Sequence, residues 1–203
     1  MVFGLLTNGD AILRWRPDSV HLLASVLQLL ATVSTSAFYL LLVVTYLRRV
    51  PAKATVRSAV ATVAAVVATL LPVELPYTAI RTESSVSLLF GNLMIALGVG
   101  FAVWGLSHLD KSFSIIPQAR ELVTDGPYRM VRHPLYTGEI LATYGVAMVY
   151  PSAFSFALAT LLLALQWYRS THEERVLTSV FPEYRDYAAG VGRLLPGIGK
   201  VRA

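Results

Sequence analysis

The feature that most constrains this chain is a series of five apolar blocks, at about residues 20 to 47, 56 to 73, 86 to 107, 135 to 150 and 152 to 178. Each is long enough, or nearly so, to cross a bilayer as a helix, which takes roughly 20 residues. In lipid a spanning segment must satisfy its own backbone hydrogen bonds, so blocks of this kind predict helices and not an open sheet. The rest of the chain agrees: 55% of the 203 residues are hydrophobic and only 14% are charged, where a soluble domain carries about 25% charged residues. The expected fold is an all-α integral membrane protein of about five transmembrane helices. "MVFGLL" at the start is too short to span and lacks the basic region and small-residue cleavage site of a secretory signal, so the first block reads as a retained span.

Basic residues orient the helices. Arg48, Arg49, Lys53 and Arg57 follow the first block, Lys111, Arg120, Arg129 and Arg132 lie between the third and fourth, and six more Lys or Arg run from Arg169 to the end. The opposite ends hold only Arg14, Arg16 and Arg81. By the positive-inside rule the N-terminus is expected outside and the C-terminus in the cytosol, in a cell (inner) membrane. The net charge of +5 is then answered by anionic headgroups, with no nucleic acid partner. The absence of cysteine excludes disulfides, thiolate nucleophiles and cysteine-ligated metals. His21, His108, His133 and His172 are scattered with no H-x-x-x-H pairing, so no metal site is expected.

Most of the apolar sequence reads as scaffold. In "SAVATVAAVVATLL", Ser58, Ala61, Ala65 and Ala68 recur at helical spacing, which suits close helix packing in lipid. "GVGFAVWG" faintly resembles a dinucleotide fingerprint, but Val103 occupies the third glycine position and no strand precedes it, so it carries almost no weight.

The stretch "DGPYRMVRHPLYTGE", residues 125 to 139, concentrates polar and conformationally special residues in an otherwise oily chain. Pro134 suits the first turn of the fourth helix, where a missing N–H costs nothing, and Pro151 ends that helix. Glu139 near its start reads as a carboxylate favoured by the helix dipole. The fifth block, about 27 residues or roughly 40 Å long, outruns a hydrocarbon core of roughly 30 Å. Trp167 and Tyr168 mark the interface, which places Arg169, His172, Glu173 and Glu174 just past it. Read alone, "RSTHEER" is a solvated helical extension with an Arg169–Glu173 pair at i, i+4. Together with "RHP" and the tail "FPEYRDYAAGVGRLLPG", it points to a polar pocket at the cytosolic face.

Residues 120 to 197, with "GPYRMVRHPLYTGEIL" followed by "HEERVLTSVFPEYRDYAAGVGRLLP", resemble the C-terminal half of the isoprenylcysteine carboxyl methyltransferase and phospholipid methyltransferase superfamily, integral membrane enzymes that use S-adenosylmethionine. The first two spans carry no such signature, and Glu173 and Glu174 stand where eukaryotic prenylcysteine enzymes have a longer acidic run. The resemblance implies a scaffold of three spans over residues 1–110 and a methyltransferase region over 111–203, packed as one compact unit. It implies that Tyr128, Arg132, His133, Pro134, Tyr136, Gly138 and Glu173 bind the cofactor and that Arg169 and Glu174 are catalytic. The expected reaction is methyl transfer to a lipophilic acceptor entering from the bilayer, favouring a carboxylate of a prenylcysteine-like lipid. The alternatives are a phospholipid amine N-methyltransferase, an NADPH-dependent membrane reductase, and a transporter or noncatalytic scaffold.

Overall fold

A computed structural model of the chain describes residues 22–48, 50–55, 58–75, 79–109, 112 and 118–199. The N-terminal stretch with "MVFGLL", Arg14, Arg16 and His21 lies outside the described residues, as do Arg49, Arg57 and Lys111. The chain is all-helical: α1 Leu22–Arg48, α2 Ala59–Glu74, α3 Ser85–Leu109, α4 Pro134–Val149, α5 Ala153–Val180 and a short α6 Tyr184–Gly190. The first five stand on the five apolar blocks. Two stretches, Ser25–Arg48 and Ser85–Leu109, are long and apolar enough to cross a membrane, and Ala59–Pro72 is a shorter apolar helix. Leu30, Leu40, Val63, Phe90 and Phe154 point outward, the surface expected of helices in contact with lipid.

Glycine sets the closest helix contact. Gly91, Gly98 and Gly105 recur every seven residues on α3 and meet Gly145, Gly138 and Pro134 of α4, respectively. A Cβ on Gly98 would lie 2.5 Å from the Ala142 backbone nitrogen and 2.6 Å from the Gly138 carbonyl, and one on Gly145 would lie 2.6 Å from the Gly91 carbonyl. No side chain fits in either place. In lipid, where burying apolar area gives helices no special reason to associate, such backbone approach supplies the packing. "GVGFAVWG" therefore has a role, but as a helix-packing face.

The alanines of α2 behave as their spacing predicts. Ala61, Ala65 and Ala68 are buried, and Ala68, Leu71 and Leu75 pack on Ala147 of α4 and on Ala159 and Leu162 of α5. Ser58 departs from that stripe: it is the N-cap of α2, its hydroxyl accepting from Ala61 N at 3.3 Å. Caps also explain the α4–α5 break. Tyr150 closes α4, and Ser152 starts α5 by accepting from Ser155 N at 2.9 Å.

One end of the bundle carries structure the hydropathy pattern does not show. Ala54–Thr55 pairs antiparallel with Gln118–Ala119, two residues each, and Val131 makes a parallel bridge to Gly192. Ala119 joins Phe181, Tyr184 and Ala188 in a small apolar cluster that docks α6 beneath the end of α5. Pairs this short have no sequence period to read. Gly126 opens a 3-10 turn, Gly126–Arg129, at φ +54° with the His108 ring against its Cα, so both the backbone and the space demand glycine.

Candidate active site

The chain enters α4 through His133, whose backbone N–H donates to the Arg193 carbonyl at 3.1 Å, while Arg132 N–H donates to Gly192 at 2.8 Å. Pro134 is the first helical residue, as its spacing predicts. These two bonds stitch the C-terminal tail beside the start of α4, and the Arg132 side chain completes the seam. Its Nε donates to Glu174 Oε1 at 2.8 Å, and its terminal nitrogens donate to the carbonyls of Ala188, Val191 and Gly199.

Glu174 is the centre of this seam. Besides Arg132, it accepts from His133 Nε2 at 3.1 Å and from Arg193 Nη2 at 2.7 Å and Nε at 3.2 Å. It lies six residues beyond Tyr168 on α5, past the stretch expected at the interface. Burial works against its charge, but the hydrogen bonds from His133 and Arg132 outweigh that cost and hold its carboxyl down at about 2. Glu174 stays ionised at any physiological pH and is a poor proton acceptor. The residue does not sit on a solvated helix end: Arg169 is 3% exposed and Glu174 is 6% exposed.

His133 sits between the two glutamates, with Nδ1 3.7 Å from Glu173 and Nε2 facing Glu174. Its ring stacks parallel to Tyr136, at 5.3 Å between centroids. Tyr136 donates to Glu173 Oε2 at 2.8 Å and carries the Arg169 guanidinium over its other contacts, 4.7 Å from the ring centre. Arg169 also donates to Gln166 Oε1 at 3.0 Å. A run of stacked and hydrogen-bonded groups therefore leads from Glu174 through His133 and Tyr136 to Arg169.

A narrow cleft opens along this run. Tyr128, Arg132, His133, Tyr136 and Glu173 line it, together with Arg120, Glu121, Tyr184 and Tyr187. Of the residues expected in the cofactor site, Pro134 and Gly138 stand behind the wall. A Cβ on Gly105 would meet Pro134, and one on Gly138 would run into the Gly98 carbonyl, so these two fix α4 against α3. Tyr184 and Tyr187 belong to the Y-x-x-Y that contributed to the resemblance, but their place in the wall was not foreseen. Tyr187 donates to the Tyr128 carbonyl at 2.6 Å. The Tyr184 hydroxyl is buried and has no hydrogen-bond partner among the described residues, and burial keeps it protonated far above the ordinary tyrosine range. Gln166 and Glu139 were also missed: Gln166 has no exposure, and its amide donates to Glu139 in a very short bond. A glutamine inside a helix gives no sequence signal.

The site lies at the polar end of an apolar helical bundle. Residues 86–184 match the phospholipid methyltransferase family, which belongs to the isoprenylcysteine carboxyl methyltransferase-like superfamily of membrane methyltransferases. It is also similar to the cobalt-zinc-cadmium resistance protein CzcN of Cupriavidus metallidurans, 35% identical over 82 residues, covering 40% of this chain and 38% of that protein. To the nickel-cobalt-cadmium resistance protein NccN of Alcaligenes xylosoxydans xylosoxydans it is 35% identical over 89 residues, covering 42% of this chain and 41% of that protein. The similarity thus spans about two fifths of each of these relatives. α1 and α2 fall outside the family match.

Proposed function

We propose that the chain is an S-adenosylmethionine-dependent methyltransferase that acts on a membrane-borne amphiphile, with the cleft as its cofactor site. The observation that carries this reading is the composition of the cleft wall within a segment of methyltransferase sequence: the Tyr184 hydroxyl, with no partner among the described residues, the Glu173 carboxylate and the stacked His133 and Tyr136 rings. These groups fit the cofactor's chemistry. A ribose and an ammonium need acceptors, a carboxylate needs donors, and an adenine needs a flat apolar slot. Tyr128, His133, Tyr136, Glu173 and Tyr184 would hold it, and Arg132, Pro134 and Gly138 would keep the wall in place. When bound there, S-adenosylmethionine supplies an electrophilic methyl group on a sulfonium.

A carboxylate acceptor would take that methyl group with no proton for the protein to remove. The protein's task is then orientation and exclusion of water. Arg169, held 4.7 Å from the Tyr136 ring centre, offers a planar fork that suits a carboxylate. Glu174, already spent on Arg132, His133 and Arg193, acts as a positioning residue that fixes the cleft and the tail. A phospholipid amine is the second reading, favoured by the description of the family matched, and it requires a base other than Glu174.

The same reading takes all five long helices as spans, with the N-terminus outside and the cleft facing the cytosol. A water-soluble cofactor then arrives from one side and the lipid acceptor from within the bilayer. Transfer of labelled methyl from S-adenosylmethionine into a total lipid extract, and separately into a prenylcysteine analogue, tests the reading. Label in the analogue alone supports a carboxylate acceptor, label in phospholipid alone supports the amine, and label in neither removes the activity.

A further inference from the structure

Two apolar cavities flank α4 on opposite faces. One of about 780 Å³ lies toward α5 and the tail, among Ile140, Tyr144, Leu163, Trp167 and Leu195, and no charged side chain lines it. The other, of about 180 Å³, is closed mainly by α1 and α2, through Thr35, Phe38, Tyr39, Thr69 and Leu70, with Glu139 in its α4 wall. Size alone favours the first cavity for a lipid chain, but the polar groups favour the second.

On α5, Leu163 and Trp167 of the larger cavity lie on one face, and Arg169 lies on the opposite face, since residues six and two positions apart fall about 240° and 200° around a helix. Gln166 lies between these faces, about 60° from Leu163 and about 60° from Arg169. Its amide donates to Glu139 and its carbonyl accepts from Arg169, so an unbroken series of hydrogen bonds runs from the wall of the smaller cavity to the guanidinium lying on Tyr136. Tyr136 in turn lines the cofactor cleft. The smaller cavity is therefore joined to the Arg169 guanidinium by hydrogen bonds, whereas the larger meets the seam through the Trp167 ring, on which Arg193 lies at 4.8 Å.

We infer that the cavity between α1, α2 and α4 takes the apolar part of the methyl acceptor, that Glu139 and Gln166 are positioning residues that aim Arg169 at its head, and that α1 and α2 select the acceptor. This rests on the methyltransferase reading for the identity of the reaction, but not for the occupancy of the cavity. It also gives work to two helices that lie outside the family match. An intramembrane carboxylate is costly to retain without such a use.

The cysteine-free sequence makes a clean test possible. Thr69→Cys in the smaller cavity and Leu163→Cys in the larger are each purified as the full chain and blocked with N-benzylmaleimide. Photolabelling by a hexadecyl amphiphile bearing a terminal diazirine, S-adenosylmethionine affinity by calorimetry, and methyl transfer into total lipid extract are then measured on the same samples. Blocking Thr69→Cys is expected to lower both photolabelling of α1 and α2 and methyl transfer at least about tenfold with cofactor affinity unchanged, because only acceptor binding is lost. Blocking Leu163→Cys is expected to change neither by more than about twofold. Loss on blocking Leu163→Cys, with Thr69→Cys unaffected, overturns the assignment. The photolabelling needs no turnover, so a parent that binds no cofactor removes the methyltransferase reading while the cavity is still decided. Glu139→Gln, which keeps a hydrogen-bonding group toward Gln166, is expected to lower kcat with little change in cofactor affinity. Wild-type kcat in that variant overturns the positioning role.

Discussion

The two halves of this bundle are held together by different physics. From α3 onward, glycine brings backbones into contact and a buried carboxylate ties the tail to two helices through Arg132, Arg193 and His133. In α1 and α2, the contacts are apolar and small, with hydroxyls such as Thr35 and Thr69 donating back to their own helices, to Ala31 and Ala65. The first arrangement fixes side-chain atoms in one place. The second leaves an apolar cavity beside α1 and α2, which suits a wall around a pliable chain better than a site for chemistry.

Removing the ionic centre is the sharpest way to break this contrast. Glu174→Ala leaves Arg132 buried without its anion, which is expected to cost about 3–5 kcal/mol of stability and to lower the thermal midpoint more than any alanine in α1. The parent should show the same dependence with pH. Because the Glu174 carboxyl is held at about 2, from an ordinary value of 4.5, its contribution is present above that ordinary value and is lost as pH falls toward about 2. Acid titration of the thermal midpoint should therefore be flatter in Glu174→Gln than in the parent.

Arg169 sharpens the comparison at the level of function. Arg169→Ala should keep cofactor affinity and lower turnover about 100-fold, the scale of losing one preorganised donor at a reacting centre. Arg169→Lys should fall between, because it keeps the charge and loses the fork. Full activity in both would return Arg169 to a packing role. Tyr184→Phe is a subtler probe. Because its hydroxyl is buried and has no partner among the described residues, the unliganded variant should be no less stable than the parent, and cofactor affinity should drop about tenfold, the worth of one hydrogen bond. The smallest effect belongs to the outward face of α1. Leu30→Ala, at an exposed position, should alter stability by less than about 0.5 kcal/mol and leave both affinities unchanged.

How much of this was legible in the sequence follows the same division. The five long helices could be read from hydropathy because each stands on an apolar block of helical length. Pro134 marked the start of α4, and Pro151 marked the break between α4 and α5. His133, Tyr136, Glu173 and Glu174 could be named because the motifs around them resemble those of a known membrane methyltransferase superfamily. What could not be read was pairing. No period links Gln166 to Glu139, or Arg132 to the carbonyls of Ala188 and Gly199, since those partners meet only after α5 and the tail fold back on α4. Glu139 looked like a carboxylate at a helix start, and its meaning comes from the amide that reaches it from another helix. The glycines of α3 were dismissed as a failed nucleotide motif because their partners on α4 lie some forty residues away.

The central claim, that the cleft bounded by His133, Tyr136, Glu173 and Tyr184 receives S-adenosylmethionine, is tested most directly by titration calorimetry on the purified full chain, with NADPH in a parallel titration. The account predicts saturable binding of S-adenosylmethionine, weaker in Tyr184→Phe, and no binding of NADPH. Absence of heat with S-adenosylmethionine, or saturation by NADPH instead, would contradict it.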